Sequence, residues 1–133
     1  DFALSRPLAF FDLETTGLNV SRDKVIEIAI LKINPDQSEE SFVRRIKPGV
    51  PISAESTEIH GIKDEDLINE KTFKELGQEI ANFIGDADLA GYNSNKFDIP
   101  MLLEEFYNAE IDFDMSNRRS VDVQTIFNTQ VHG

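Results

Sequence analysis

The 133-residue chain has no cysteine. A disulfide framework, a thiolate metal site and a cysteine nucleophile are therefore excluded, and any metal must be held by oxygen or by one of the two histidines, His60 and His132. Positive charge is also scarce: 13 Lys and Arg face 25 Asp and Glu, for a net charge of −12. That balance argues against a domain that grips a duplex through a basic face. Net charge, however, describes the whole surface and not the lining of one cleft. No apolar run approaches the roughly 20 residues of a membrane span, and the N-terminus lacks the charged-then-apolar layout of a signal peptide. The expectation is a cytoplasmic protein with no membrane partner. Internal repeats, low-complexity stretches and linkers are missing too.

What is present suits a folded domain. Apolar residues make up 40% of the chain and include 10 Phe, enough to fill one core across residues 1–133. Leu8-Ala9-Phe10-Phe11 reads as a strand buried on both faces, broken by Thr15-Thr16-Gly17, with Gly17 free to take a positive φ. Lys24 to Asn34 is rich in β-branched residues, and Ser41 to Lys47 reads as its hairpin partner. Thr72 and Glu75 form a capping box for a helix carrying Phe73, Leu76, Ile80 and Ile84, which Gly85 is placed to end. A short strand, Ala87 to Tyr92, precedes a helix marked by Ile99, Leu102, Leu103, Phe106 and Tyr107 and opened by Asp98 and Pro100. Ser120 to Val123 reads as a last strand leading into a helix that the sequence cuts off. Strands first, then alternating helix and strand, imply an α/β domain with a mixed sheet.

Several acids are candidates for chemistry. Asp12 and Glu14 stand at i and i+2 of a strand, so they project from the same face. Two anions side by side at a buried strand end repel, and a hard cation such as Mg²⁺ or Mn²⁺ resolves that conflict. Spacing alone is equally compatible with solvated acids. Asp98 alone reads best as a helix N-cap. Its context favours a site: a buried strand, a polar loop, Phe97 and then the acid, at the sheet edge where α/β folds place their sites. Asn93 is a phosphate or sugar donor, or a turn former. His60, followed by Gly61, reads as a satisfied helix-end residue, and Asp122 as the cap of the next helix or a support for a metal ligand. Asp64-Glu65-Asp66 and Glu104-Glu105 read as solvated faces. Arg118 and Arg119 offer a weak phosphate contact.

Taken together, Phe11-Asp12-Leu13-Glu14-Thr15-Thr16-Gly17-Leu18 and Tyr92-Asn93-Ser94-Asn95-Lys96-Phe97-Asp98-Ile99-Pro100-Met101-Leu102 resemble the first and second exonuclease motifs of the DEDD superfamily. Within its DEDDh branch the sequence looks most like the proofreading epsilon subunit of bacterial DNA polymerase III, and Ile59-His60-Gly61-Ile62 agrees. The resemblance implies a ribonuclease H-like mixed sheet flanked by helices. It also implies 3′→5′ hydrolysis of a DNA or RNA strand end, releasing nucleoside 5′-monophosphates. Asp12, Glu14 and Asp98 would hold two divalent ions, Mg²⁺ or Mn²⁺. Thr15, Gly17 and Leu18 would line the terminal nucleotide, Ile59 and His60 would flank it, and Asn93 and Phe97 would face the penultimate one. A polymerase catalytic subunit is the protein partner the resemblance suggests. Its third motif, which supplies a general base and a last metal-binding Asp, has no match here, and His132 is not given that role. The expectation is therefore a fragment cut short at its C-terminus, or a degenerate member that binds nucleic acid or protein without cutting. A structural Ca²⁺ protein is a third reading, for which no Asp-rich loop of the required spacing is present.

Overall fold

The computed structural model describes residues 5–91 and 94–123, with the backbone alone at 94–95. Tyr92, Asn93 and residues 124–133, including His132 and the expected last helix, lie outside the described residues. The elements are β1 (Leu8–Thr15), β2 (Val25–Ile33), β3 (Glu39–Arg45), α1 (Ala54–His60), a 3₁₀ turn (Asp64–Leu67), α2 (Phe73–Ile84), β4 (Asp88–Gly91), a π-helical turn (Ser94–Asp98), α3 (Ile99–Asn108) and β5 (Ser120–Asp122). They build a five-stranded sheet in the order β3-β2-β1-β4-β5. The β1–β2 and β2–β3 pairs are antiparallel, and the β1–β4 and β4–β5 pairs are parallel. This is the mixed sheet that the order of elements predicts.

The core lies on one face of that sheet. Ala9, Phe11 and Leu13 of β1, Ile28 and Ile30 of β2, Phe42 of β3 and Leu89 of β4 form one cluster with Leu76, Ile80 and Ile84 of α2 and Met101, Leu102 and Phe106 of α3. Each large aliphatic or aromatic side chain buried in this way contributes about 1.5–3 kcal/mol. Phe106 meets Phe73 edge-on at 5.4 Å and stacks on Phe113 at 4.6 Å. The α2 capping box closes in both directions between Thr72 and Glu75, and Gly85 ends the helix at φ 56°. Gly77 lets α2 approach the segment after α3, since a Cβ there would collide with Ile111 Cδ1.

One expectation is corrected here. β1 is not buried on both faces: Ala9, Phe11, Leu13 and Thr15 are buried, whereas Leu8, Phe10 and Glu14 are half-buried and Asp12 is exposed. Packing against the helices supplies only one side, so the apolar run Leu8 to Phe11 is divided by the pleat. On the other face Phe10, Asp12, Ala29, Leu31, Val43, Gly91 and Val123 line a hollow of about 720 Å³. Beyond Glu14 the β1–β2 register shifts: Glu14 faces Glu27 and Thr15 faces Val25, leaving Ile26 as a bulge. Ile26 joins Ile52, Ile62 and Leu67 in a second small cluster, which fastens the segments flanking α1 and the 3₁₀ turn to the sheet. Among the described residues no helix is long and apolar enough to cross a membrane.

Candidate active site

Asp12 and Glu14 project from the β1 face turned away from the core, as their spacing requires. Burial pushes the Glu14 carboxyl above its ordinary range, and the charges of Asp12 and Glu27 push it further, while His60 acts in the opposite direction. Glu27, directly across from Glu14, is held by Arg45 at 3.1 Å. That ion pair offsets part of the cross-strand repulsion between like charges.

Asp98 reaches the same place from the opposite side of the chain. It occupies the position before α3, yet its backbone is helical (φ −65°, ψ −44°) and its carboxylate makes no capping hydrogen bond. The N-cap reading is therefore corrected. The π-helical turn carries the chain straight into α3, so Asp98 lies inside a continuous helical run and has no cap to make. π-turns of this kind recur at functional sites. Only 8% of Asp98 is exposed. Burial, followed by the charges of Asp12, Glu14 and Asp122, pushes its carboxyl up to about 7. Asp122, buried at the end of β5 beside Gly91, thus joins the cluster electrostatically.

These acids sense one another across the strand ends, but among the described residues no three acids or imidazoles close into a cage tight enough to hold an ion. Mutual repulsion of this kind is what a divalent cation would relieve. The donor set is oxygen only, which fits Mg²⁺ or Mn²⁺ and not a soft metal.

A scaffold of local bonds frames the acids. Ser53 caps α1 by accepting from the Ser56 amide, and Gly61 ends it at φ 76°. His60 Nδ1 accepts from the Ile62 amide at 3.1 Å, which leaves the proton of the neutral ring on Nε2; that group lies 3.1 Å from the Thr15 carbonyl and donates to it. The ring is thus satisfied, as expected, but it also locks α1 to the end of β1. Thr15 Oγ1 donates to the Gly17 carbonyl at 2.7 Å, and Thr16 bonds Lys24 through its amide and Asp23 through its hydroxyl. Gly17 does not take a positive φ. It is needed for close approach, because a Cβ there would lie 2.5 Å from Asp23 Oδ2.

Leu18 and Ile59 ride on the segments that His60 joins, and they are 83% and 84% exposed. Phe97 is half-buried against the main core. Asn93 lies outside the described residues.

Other expectations change. Arg118 is not a free phosphate contact: its guanidinium stacks over Phe113 at 4.4 Å and donates to the Ala87 carbonyl. Asp64 and Asp66 are exposed, as expected, and accept from the Ile52 and Lys63 amides. Glu105, grouped with Glu104 as a solvated face, is buried instead and accepts from the Val25 amide at 2.7 Å. Its position one turn beyond Leu102 on the apolar side of α3 was the available signal.

The mixed sheet order and its flanking helices define a ribonuclease H-like domain, with acids gathered near its strand ends. Residues 9–127 match the model of the RNase T family, described as Exonuclease, and the chain belongs to that family within the DEDD exonuclease superfamily. The PolC-type DNA polymerase III of Thermotoga maritima is 38% identical over 84 residues, covering 63% of this chain and 6% of the polymerase. That of Latilactobacillus sakei is 35% identical over 108 residues, covering 81% and 7%. The E. coli exonuclease I chain in complex with a dT13 oligonucleotide superposes with a TM-score of 0.85 at 17% identity, covering 96% of this chain and 30% of that one. The complex described as ExoI/SSB-Ct gives the same values. The chain therefore spans only a small part of the polymerases and under a third of the exonuclease I chains.

Proposed function

We propose that this domain is a divalent-metal-dependent 3′→5′ exonuclease that removes nucleoside 5′-monophosphates from a single-stranded DNA or RNA end, in the service of proofreading or repair. The observation that carries this reading is the approach of Glu14 and Asp98, from two separate segments, to Asp12: burial first, and then the charge of Asp12, raises the proton affinity of both. A structural ion pair would supply a cation from the protein, and none of the three acids has a basic partner at salt-bridge distance among the described residues.

In this reading Asp12, Glu14 and Asp98 hold the ions, and Asp122 supports Asp98 from β5. Divalent ions held there supply Lewis acidity toward a phosphodiester and lower the pKa of a water. The chain's own residues position the strand end. Thr15 and Gly17 present main-chain groups to the terminal sugar, Leu18 and Ile59 hold its base between them, and His60 keeps the two walls in register. Phe97 faces the next nucleotide. No residue up to Gly133 is assigned the general base. The likeness to PolC-type polymerases supports a polymerase catalytic subunit or domain as partner, and the exonuclease I complex with dT13 supports a single-stranded substrate.

The test is digestion of oligonucleotides blocked at either end, in Mn²⁺. Mononucleotides should appear from a 5′-blocked strand and not from a 3′-blocked one, and Asp12→Ala or Asp98→Ala should abolish them. Metal binding without nucleotide release in any arrangement would instead identify a binding module.

A further inference from the structure

We infer that Glu105 is a positioning residue of this site: its buried carboxylate, through the Val25 amide, holds the β-bulge that aims Glu14 and Thr15 toward Asp98. This inference rests on the exonuclease reading above and deepens it. Glu105 is only 6% exposed, and Val25 is fully buried, so their 2.7 Å hydrogen bond is shielded from water. Such a bond is unusual in its placement. Val25 faces Thr15 across the register shift, where the β1–β2 ladder is interrupted and an amide must find an acceptor elsewhere. Glu105 supplies it from a helix 80 positions further along the chain.

The consequences run in both directions from that bond. Next to Val25, the Lys24 carbonyl accepts from the Thr16 amide, and the Thr15 carbonyl receives the His60 ring, so the bulge is the hub of the turn and of α1. Ile26, extruded by the bulge, joins Ile52 and Ile62, which flank α1, and Leu67 in one cluster. On the other side, Glu105 stands seven residues from Asp98 along the helical run, about 10 Å at 1.5 Å per residue. The helix is therefore tied to the β1–β2 unit at Glu105, while Asp98 at its start feels the charges of Asp12 and Glu14. A slip at Val25 would alter the spacing between Asp98 and the strand acids without touching any of them. Lys24 and Glu104 are the charged neighbours that act on Glu105.

The test compares Glu105→Gln, which keeps an acceptor for Val25, with Glu105→Met, which keeps helix propensity and volume but has none. Measurements on the full protein are Mn²⁺ affinity by calorimetry, kcat and KM on a single strand, and melting temperature. Glu105→Met should lose roughly tenfold or more in Mn²⁺ affinity, as is typical for groups that orient metal ligands. It should lose kcat with KM little changed, and Glu105→Gln should restore both. A merely structural role would lower the melting temperature and leave Mn²⁺ affinity and kcat of the folded protein unchanged, which overturns the inference, as does a Gln variant no better than Met. If Met folds poorly, Glu105→Ala, which admits water to the amide, takes its place with the same expected order. If the wild type itself binds no Mn²⁺, the exonuclease reading fails, and hydrogen exchange decides for Glu105. Thr16, Gly17 and Val25 amides should then exchange faster in the Met variant than in the Gln variant, and equal rates would overturn the inference.

Discussion

The two faces of β1 are built from alternate residues of one short strand, yet they obey opposite rules. Ala9, Phe11 and Leu13 are buried in one apolar cluster with side chains of α2 and α3. Asp12 and Glu14, the residues between and after them, face a side where three other acids, Asp98, Asp122 and Glu27, bear on them or on one another. The first face gains stability from dehydration. The second gathers like charges, the buried Asp98 among them, whose repulsion and desolvation oppose folding. A pleat keeps the two apart, so a change on one face should read out in stability and a change on the other in chemistry.

The largest expected effect tests the acidic face. Asp12→Asn or Asp98→Asn should lower exonuclease activity by on the order of 10²–10³-fold or more, the size of losing one charge stabiliser in a catalytic site. Neither should lower the melting temperature in EDTA, because each removes repulsion. Loss of fold in either variant would show that the acids are structural. Phe11→Ala, one residue from Asp12, should do the reverse. It should cost about 3–5 kcal/mol of unfolding free energy by denaturant titration, while Mn²⁺ affinity of the protein that remains folded stays within about twofold.

How much of this contrast was legible in the sequence follows from the range of the interactions. The Thr72–Glu75 capping box, the stop at Gly85 and the β-branched run of β2 are local, and each was read in place. The pairing of Asp12 with Glu14 needed only the period of a strand. Asp98 was ambiguous, because an acid at a helix start is a cap unless the turn before it is already helical, and the π-turn is not written in residue types. Glu105 and Arg118 were misread for a different reason. Their partners, Val25 and Ala87, are 80 and 31 positions away, and a charged residue in a helix or loop reads as solvated until such a partner is known. The division of β1 between core and site required knowing that helices cover one side of the sheet.

A smaller effect sharpens the comparison through pH. Asp98 and Glu14 bind protons more tightly in the folded state than their ordinary values of 3.8 and 4.5. A raised folded pKa contributes stability that is complete below the unfolded value and is lost as pH rises through the folded one. In EDTA the melting temperature of the wild type should therefore fall, relative to Asp98→Asn, between about pH 4 and pH 7. Mn²⁺ should bind more tightly over the same interval, since the ion requires the ionised carboxylate, and so should cancel the decline. Parallel melting curves for wild type and Asp98→Asn would show that the convergence of charge at Asp98 is not real.

The smallest effect concerns the rim of the acidic face, where apolar side chains are exposed. Leu18 and Ile59 contribute little to the fold, because each is already in water, and Leu18→Ser or Ile59→Ser should change stability by no more than about 0.5 kcal/mol. If they enclose a terminal base, part of each side chain is buried only in the complex. Losing that contact should cost about 1 kcal/mol, less than the 1.5–3 kcal/mol for burying such a side chain completely. The expected result is a roughly fivefold rise in KM for a single strand with kcat nearly constant, because the contact is made equally in the bound substrate and in its transition state. A fall in kcat with KM unchanged would place these residues in the orientation of the strand end rather than in its capture. An effect on neither would leave the exposed pair outside the substrate path and confine recognition to the backbone of the Thr15–Gly17 turn.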